Sequence, residues 1–331
     1  MVMWAQPPVL AGIDDSPESM IAAEAAGAQA YGLHLPLRLV CCRYPVDSAR
    51  RILDQTVQRL RNGYPTLPIT TAAYHRVLAD VLIEQSRYAA LVVVSPRHTG
   101  GYDSLFDRWL SNRVVTHSHC PVLVARSATA GDGGQPGRRP VLVGLDGSEH
   151  SAAAVPLAFD EAMLRGVPVR AVNVHCIDPD ATFEVADGTG YTAATAWALS
   201  ADLIAESLDG WLDKYPEVKV VSEPMYAPDV ASAFVTASAS APLVVVGCRG
   251  RTARTSLLLG SVSRALIHQA HCPVLVAHAH GASGSHGASG SHGAERITSR
   301  GRAARPADDV AHPARRDRPS LTGTVAATGD R

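Results

Sequence analysis

The chain contains an internal repeat, which constrains the fold more than any other feature of the sequence. Three segments of the first half return in the same order in the second: VLAGIDDS (9–16) as VLVGLDGS (141–148), LVVVSPRH (91–98) as LVVVGCRG (243–250), and HCPVLVA (119–125) unchanged at 271–277. The offset is 132 residues between positions 9 and 141 and 152 residues between positions 119 and 271. Period and order indicate a duplicated domain whose second copy carries about 20 extra residues, placed around 178–192.

The repeat divides the chain into four predicted parts. These are a first copy (1–127), a linker (128–139), a second copy (140–279) and a tail (280–331). The linker is rich in Gly, Pro and charged residues. The tail opens with the six-residue repeat GASGSH and has almost no periodic apolar residues, so we expect it to be disordered. Its evenly spaced histidines leave metal binding open, although a solvated polar tail is the favoured interpretation.

Composition and charge exclude several classes of protein. The 331 residues are 46% hydrophobic, and 30 basic and 31 acidic residues give a net charge of −1. This balance provides no electrostatic basis for binding nucleic acid or an anionic membrane. The first residues lack the regions of a signal peptide, and no apolar run approaches the roughly 18 residues of a spanning helix. Six cysteines without metal-type spacing indicate reduced thiols, so we expect a cytoplasmic protein.

Strands and helices alternate through the second copy. Apolar runs predict strands at 140–146, 167–174, 218–224, 242–247 and 273–277. Helices are predicted at 148–166, 194–215, 228–239 and 261–270. Ser148 can cap the first helix, and Pro156 should bend it or reset its start. Because the first copy follows the same order, the sequence predicts an α/β fold of two tandem doubly wound domains, each with a five-stranded parallel sheet flanked by helices.

A glycine-rich segment follows the fourth predicted strand of the second copy. GCRGRTARTSLLLGS (247–261) has the pattern Gly-x2-Gly-x9-Gly-Ser and leads into a helix. Glycines let backbone N–H groups approach a phosphate, and the start of a helix favours an anion. Ligands of open α/β sheets bind at the carboxyl ends of the strands, where strand order reverses. If the first and fourth strands are neighbours there, the carboxylate of Asp146 faces the glycines and can accept from a ribose hydroxyl or an exocyclic amine.

Each of these features also has a purely structural interpretation. The first two glycines suit a strand-to-loop turn, the third glycine and Ser261 suit a helix N-cap, and Asp146 suits a turn before Gly147. The complete spacing, between a buried strand and a helix, is harder to explain as turns alone. It is neither a Walker A loop nor a Gly-x-Gly-x-x-Gly dinucleotide turn. The sequence therefore predicts a nucleotide site built from separated pieces.

On these motifs the second copy resembles a universal stress protein domain of the UspA type, and the whole chain resembles the tandem two-domain members common in actinobacteria. The matching residues are VLVGLDGS (141–148), the glycine pattern (247–261) and SVSRALIHQAHCPVLV (261–276). The resemblance covers residues 8–279 and implies an adenine-nucleotide α-hydrolase-like fold. It also implies an ATP-binding regulator of stress or dormancy adaptation, with or without Mg²⁺ on the nucleotide. Family members pair through their fifth strands, so a homodimer or an intrachain pseudo-dimer is expected.

The resemblance also assigns residues to the site. By analogy Asp146 would contact adenine or ribose, and Val174, at the end of the second strand, would frame the base. The remaining family positions would surround the ribose and phosphates: Gly247, Arg249, Gly250, Gly260, Ser261 and Val262.

The first copy departs from this pattern. The positions that match the three glycines and the serine hold Ser95, His98, Arg108 and Trp109, while Asp14 matches Asp146. We therefore expect the first copy to bind ATP poorly or not at all and to act as a pseudo-symmetric partner. Binding of a different anion through Arg97, His98 and Arg108 is a less favoured alternative.

No catalytic residues are expected. His268 lies two helical turns from Ser261, roughly 10 Å, which is too far for a nucleophile and its base. Slow ATP hydrolysis is left open, without a candidate base. Cys248 is interpreted as a spectator, with redox sensitivity as the alternative. The competing hypothesis for the whole protein is a scaffold that keeps the fold for dimerisation and partner docking without binding a nucleotide. The protein partner is not indicated by the sequence.

Overall fold

The computed structural model describes residues 6–42, 45–96, 104–127, 139–176, 193–250 and 259–279, without the side chains of 104–109 and 193–194. The predicted tail and all of the predicted linker except residue 139 lie outside these ranges. Among the described residues, no helix has the length and apolarity needed to cross a membrane.

Strands and helices alternate through the described part of the first copy. The strands are β1 (Val9–Ile13), β2 (Leu37–Cys42), β3 (Ile69–Tyr74), β4 (Leu91–Val94) and β5 (Val122–Val124). The helices are α1 (Pro17–Gly32), α2 (Val46–Gly63), α3 (Leu78–Gln85) and α4 (Ser104–His117), with a 3₁₀ turn at Ser86–Tyr88. The Ser16 side chain caps α1 by accepting from the Ser19 N–H, and Pro17 occupies its first turn.

The second copy repeats this order. Its strands are β6 (Val141–Gly144), β7 (Val169–Cys176), β8 (Val220–Ala227), β9 (Val244–Gly247) and β10 (Val274–Ala277). Its helices are α5 (Glu149–Ala152), α6 (Ala154–Arg165), α7 (Ala193–Leu208), α8 (Trp211–Lys214), α9 (Val230–Ser238) and α10 (Ser261–Gln269). The Ser148 side chain caps α5 by accepting from the Ser151 N–H, as predicted.

All of these strands belong to one sheet within the described residues. Its order is β3-β2-β1-β4-β5-β10-β9-β6-β7-β8. Neighbours within each copy are parallel, which confirms the α/β class and the two five-stranded parallel arrangements. The copies join where β5 and β10 pair antiparallel, with Leu123 opposite Leu275. Of the two expected pairings through fifth strands, the chain adopts the intrachain one. The free edges of β5 and β10 are thereby paired with each other, and a homodimer through these strands would need the same edges.

The sheet is buried on both faces, as parallel sheets are. Successive residues of a strand point to opposite faces, so Val9 packs in one hydrophobic core and Leu10 in the other. Each core contains residues of both copies; Leu39 and Phe159, for example, share the first. The two copies are therefore packed as one body across the β5–β10 seam.

Two helix boundaries differ from the sequence prediction, and one predicted interruption is confirmed. The helix predicted at 194–215 is wrong as one element, because Gly210 adopts a left-handed φ of 73° and separates α7 from α8. The helix with Pro156 is reset at Ala153, between α5 and α6, as predicted. The helix predicted at 228–239 begins two residues later, at Val230, because Asp229 caps it by accepting from the Ala231 and Ser232 N–H groups, and Pro228 lies directly before that cap.

Equivalent residues after β5 and β10 tie each copy to the last helix of the other. Arg126 donates to the carbonyl of Ala270, 2.6 Å away, and also to those of Leu266 and Ile267, at the end of α10. Its counterpart His278 donates from Nε2 to the Val115 carbonyl, 2.6 Å away, in the last turn of α4. The bonds to the Ala270 and Val115 carbonyls satisfy groups that a helix end leaves without an intrahelical partner, whereas the Leu266 carbonyl also accepts from the Ala270 N–H.

The buried imidazole of His278 gives the stability a predictable pH dependence. Burial lowers the pKa of His278 to about 4, whereas in the unfolded chain it is about 6.5. Below pH 6.5 the unfolded state binds a proton that the folded state does not. The free energy of unfolding should therefore fall by about 2 kcal/mol as pH drops from 6.5 to 4. Urea titrations across this range measure the fall, and His278→Gln, which cannot titrate there, should show a smaller one, since only groups such as His119 still contribute. An identical fall in both proteins contradicts the assignment to this residue.

Candidate functional site

The site lies where strand order reverses in the second copy. β6 has β9 on one side and β7 on the other, so the first and fourth strands are neighbours, as the sequence hypothesis required. Asp146 follows β6, and the glycine segment begins at the end of β9. Both therefore stand at the carboxyl ends of adjacent parallel strands, where α/β sheets bind their ligands.

A cavity of about 1310 Å³ opens at this point. Its lining includes every residue that the resemblance assigned: Asp146, Val174, Gly247, Arg249, Gly250, Gly260, Ser261 and Val262. Ligand pockets typically measure 300–1,000 Å³, so the volume of this cavity is large enough for a nucleotide. Residues 251–258, the middle of the glycine segment, lie outside the described residues.

Asp146 combines a structural role with a place in the cavity. Its Oδ1 accepts from the Ser148 backbone N–H (3.0 Å) and hydroxyl (2.6 Å), so it does hold the turn before α5. Its Oδ2 faces Gly250 so closely that a Cβ at position 250 would lie 2.6 Å from it. The absence of a side chain at Gly250 therefore lets the carboxylate stand directly against the glycine segment.

The equivalent aspartate of the first copy holds the same turn. Asp14 Oδ1 accepts from the Ser16 backbone N–H (2.9 Å) and hydroxyl (2.6 Å). The aspartate, taken alone, is thus explained by turn formation in both copies. What sets Asp146 apart is the glycine segment on the opposite side of the crevice.

Gly247 is required for packing. A Cβ there would lie 2.5 Å from the backbone carbonyl carbon of His150 and 2.6 Å from its oxygen. The end of β9 and the first turn of α5 are therefore in direct backbone contact. This contact also brings the α5 turn, with Asp146 before it, close to the start of the glycine segment.

Helix α10 points its N-terminus into the cavity. Gly260 is the N-cap, its N–H donates to the Cys248 carbonyl (3.0 Å), and no side chain caps the helix among the described residues. The exposed Ser261 and the half-buried Val262 line the cavity in the first turn. Uncapped N–H groups and the positive end of the helix dipole make this turn suitable for an anion.

Sequence reasoning missed several polar residues of the cavity. Asn173, buried in β7, donates from Nδ2 to the Leu145 carbonyl at 2.7 Å, and Ser263 donates to the Gly247 carbonyl at 2.6 Å. A single asparagine inside the apolar run VRAVNV was a usable signal for the first of these. Asn112 and Thr116 belong to α4 of the first copy and also line this cavity. Nothing in the local sequence indicates that they face the other copy.

The first copy shows only part of the matching position. Ser95 is buried and occupies the place of Gly247. Its carbonyl accepts from Ser111 at 2.9 Å, just as the Gly247 carbonyl accepts from Ser263. The other residues named for this copy, Arg97, His98, and the side chains of Arg108 and Trp109, lie outside the described residues. The expectation that this copy binds no ATP stays a prediction.

Cys248 is held as a thiol. It is 3% exposed, and burial raises its pKa, although Arg249 opposes that shift. Its Sγ lies 3.5 Å from His150 Nδ1. A thiol with a raised pKa is a weak nucleophile, which agrees with the spectator interpretation. Among the described residues no group of three potential ligands could hold a metal ion, and the tail histidines lie outside that part of the chain.

Comparison with known proteins identifies the family. The model of the universal stress protein family matches residues 137–278. A universal stress protein of Mycobacterium tuberculosis is 30% identical over 294 residues, which cover 81% of this chain and 95% of the relative. One of Mycobacterium bovis is 32% identical over 292 residues, 81% of this chain and 96% of the relative.

A solved structure has the same fold. A universal stress protein from Archaeoglobus fulgidus superimposes with a TM-score of 0.53 at 15% identity, covering 84% of this chain and 98% of that one. The relatives match along nearly their whole length, and the glycine pattern and VLVGLDGS lie within the matched region. The chain therefore belongs to the universal stress protein family.

Proposed function

We propose that this universal stress protein binds ATP at one site, in its second copy, and acts as a regulator of stress or dormancy adaptation and not as an enzyme. The observation that carries the proposal is the cavity at the strand switch point, which gathers Asp146, the glycine segment and the start of α10. These are the three kinds of group that a nucleotide needs: a carboxylate for its hydroxyls or amine, a close backbone, and an anion-binding helix start.

The cavity suggests how a nucleotide would lie. We assign adenine to the residues beside α7, Asn173 and Val174, and the ribose to Asp146, whose carboxylate also faces Gly250. We assign the phosphates to Arg249, Gly250, Gly260 and Ser261, which line the same cavity. Arg249 adds a positive charge, and charge-assisted hydrogen bonds to phosphate are stronger than neutral ones. A Mg²⁺ ion, where present, would be carried on the phosphates themselves.

We base the proposed regulatory role on the bonds that the side chains of the cavity make. Asp146 is the carboxylate of the site, and its Oδ1 accepts from the backbone N–H and the hydroxyl of Ser148, which fixes it in the turn before α5. His268 lies on the same helix as Ser261 but two turns away. A carboxylate with these bonds suits recognition better than proton transfer, so we infer that binding, and not turnover, is the signal. The proposed location is the cytoplasm, where ATP is available.

Wild-type protein should bind about one ATP per chain, and Asp146→Ala should weaken that binding at least tenfold. The matched control is Asp14→Ala, because Asp14 makes the same turn bonds in the first copy. Both changes should lower the free energy of unfolding by a similar amount, about 1 kcal/mol, while only the first affects binding. Isothermal titration and urea unfolding measure the two quantities.

Two outcomes contradict the proposal. No saturable binding by the wild type at millimolar ATP would favour the scaffold hypothesis, in which the fold serves docking alone. Two ATP per chain, or a clear loss of affinity in Asp14→Ala, would show that the first copy also forms a site.

A further inference from the structure

The cavity of the second copy has a wall that belongs to the first. Asn112 and Thr116 project from the last two turns of α4, and both line the cavity together with Arg264 of α10. Helices α4 and α10 are in contact across the seam. Asn112 and Arg264 are equivalent positions, 152 residues apart, so the two copies present the same fold position from opposite sides of this space.

The first turn of α10 connects the assigned phosphate groups with the wall from the first copy. Ser261 begins α10 and Arg264 follows three residues later, and both line the cavity together with Asn112. A nucleotide with adenosine beside α7 and its phosphates over Ser261 therefore extends its last phosphate toward Arg264 and Asn112. Antiparallel pairing of β5 with β10 is what brings the end of α4 to this place, where His278 also holds the Val115 carbonyl.

Asn112 has an unsatisfied polar group. Its Oδ1 is buried and makes no hydrogen bond to any described residue. The backbone of the same residue is fixed, since the Thr116 hydroxyl donates to the Asn112 carbonyl at 2.6 Å. A buried amide oxygen without a partner destabilises the folded protein. Asn112 is partly exposed as a residue and its Oδ1 end is the buried one, so the NH₂ group is the end of the amide that can face the cavity.

We propose that the first copy completes the nucleotide site of the second, with Asn112 contacting the terminal phosphate of the bound nucleotide opposite Arg264. The inference rests on the proposed ATP site and adds a specificity-determining residue to it. The Asn112 NH₂ group can stabilise only a nucleotide whose phosphate chain is long enough to reach it. The site would therefore select nucleoside triphosphates over monophosphates, through a residue that the second copy does not contain.

The test compares ATP and AMP binding by the full chain. Asn112→Asp keeps the shape but removes the donor and adds a negative charge, so it should weaken ATP binding about tenfold and leave AMP binding within about twofold. His117→Asp makes the same change in charge on an exposed position of the same helix and lines a different cleft, so it should leave both affinities unchanged.

A second variant separates a ligand contact from a structural role. Asn112→Ala removes the unsatisfied oxygen, so the Tm without nucleotide should stay the same or rise while ATP binding weakens. Equal weakening of ATP and AMP in both variants, no weakening in either, or a fall in Tm with Asn112→Ala overturns the proposal while the ATP site itself stands. Absence of any nucleotide binding by the wild type overturns both.

Discussion

Replacing Ser261 with tryptophan is expected to abolish saturable ATP binding, raising the Kd at least 100-fold, which corresponds to about 2.7 kcal/mol. Tryptophan stands at the matching position 109 of the first copy. Ser261 is exposed in the first turn of α10 and lines the cavity. An indole there would occupy the volume next to the helix N-terminus and screen its N–H groups from a phosphate. Because the position is exposed, the core is not disturbed.

Isothermal titration with ATP and thermal unfolding measure this result together. Gln269→Trp is the matched control, since it places an indole at an exposed position in the last turn of the same helix, away from the cavity. The control should bind ATP like the wild type, and both variants should keep its Tm within a few degrees. Undiminished binding by Ser261→Trp would remove the start of α10 from the site.

Much of the fold could be predicted because short apolar runs and the internal repeat indicate its strands and their order along the chain. Buried parallel strands appear as short apolar runs such as VLVG and VVVG, and the repeat fixes the order of the elements twice. Pairing of β5 with β10 came only through resemblance, because an identical HCPVLVA segment in each copy does not say whether its partner lies in the same chain. The break at Gly210 was missed because the flanking residues keep helical spacing across it, and only the left-handed φ shows the interruption.

The site was predictable to a more limited extent. Spacing along one segment placed the glycines and the start of α10 at the carboxyl edge of the sheet, and topology placed Asp146 beside them. The packing of Gly247 against His150 could not be predicted, because it depends on how α5 crosses β9. The contribution of Asn112 depends on how two copies meet, which no single segment encodes.

The seam suggests why the chain retains a first copy without the glycine pattern. Gln29 and Glu161 are equivalent positions that meet across it, with Gln29 Nε2 donating to Glu161 Oε2 at 3.1 Å. Glu161 is also ion-paired with Arg165. Gly32 and Leu164 are another equivalent pair that meets there. The Leu164 side chain packs against the Gly32 backbone, because a Cβ at position 32 would lie 2.5 Å from Leu164 Cδ1. Pairing of two identical copies would place two glutamates or two leucines opposite each other here. These differences therefore favour pairing of a first copy with a second copy.

The three glycines of the pattern, Gly247, Gly250 and Gly260, should respond differently to replacement by alanine. Gly247→Ala is expected to lower the free energy of unfolding by about 3 kcal/mol, because its Cβ would overlap the backbone of His150, which cannot rotate away. Gly260→Ala should change stability by less than about 0.5 kcal/mol, since its Cβ would meet Arg249 Cα at 3.4 Å, an ordinary contact. Gly250→Ala falls between them, because the atom it displaces is the tip of the Asp146 side chain.

Urea unfolding of Gly247→Ala and Gly260→Ala measures this difference, and ATP titration gives it a functional meaning. If Gly247 is needed for packing, its variant loses stability first, and ATP at saturating concentration restores part of it by binding the folded state. If instead Gly247 is needed only for phosphate approach, the variant would fold as well as the wild type and fail to bind. Equal stabilities for the two alanine variants would therefore contradict the packing role of Gly247. They would also contradict the close contact between α5 and β9.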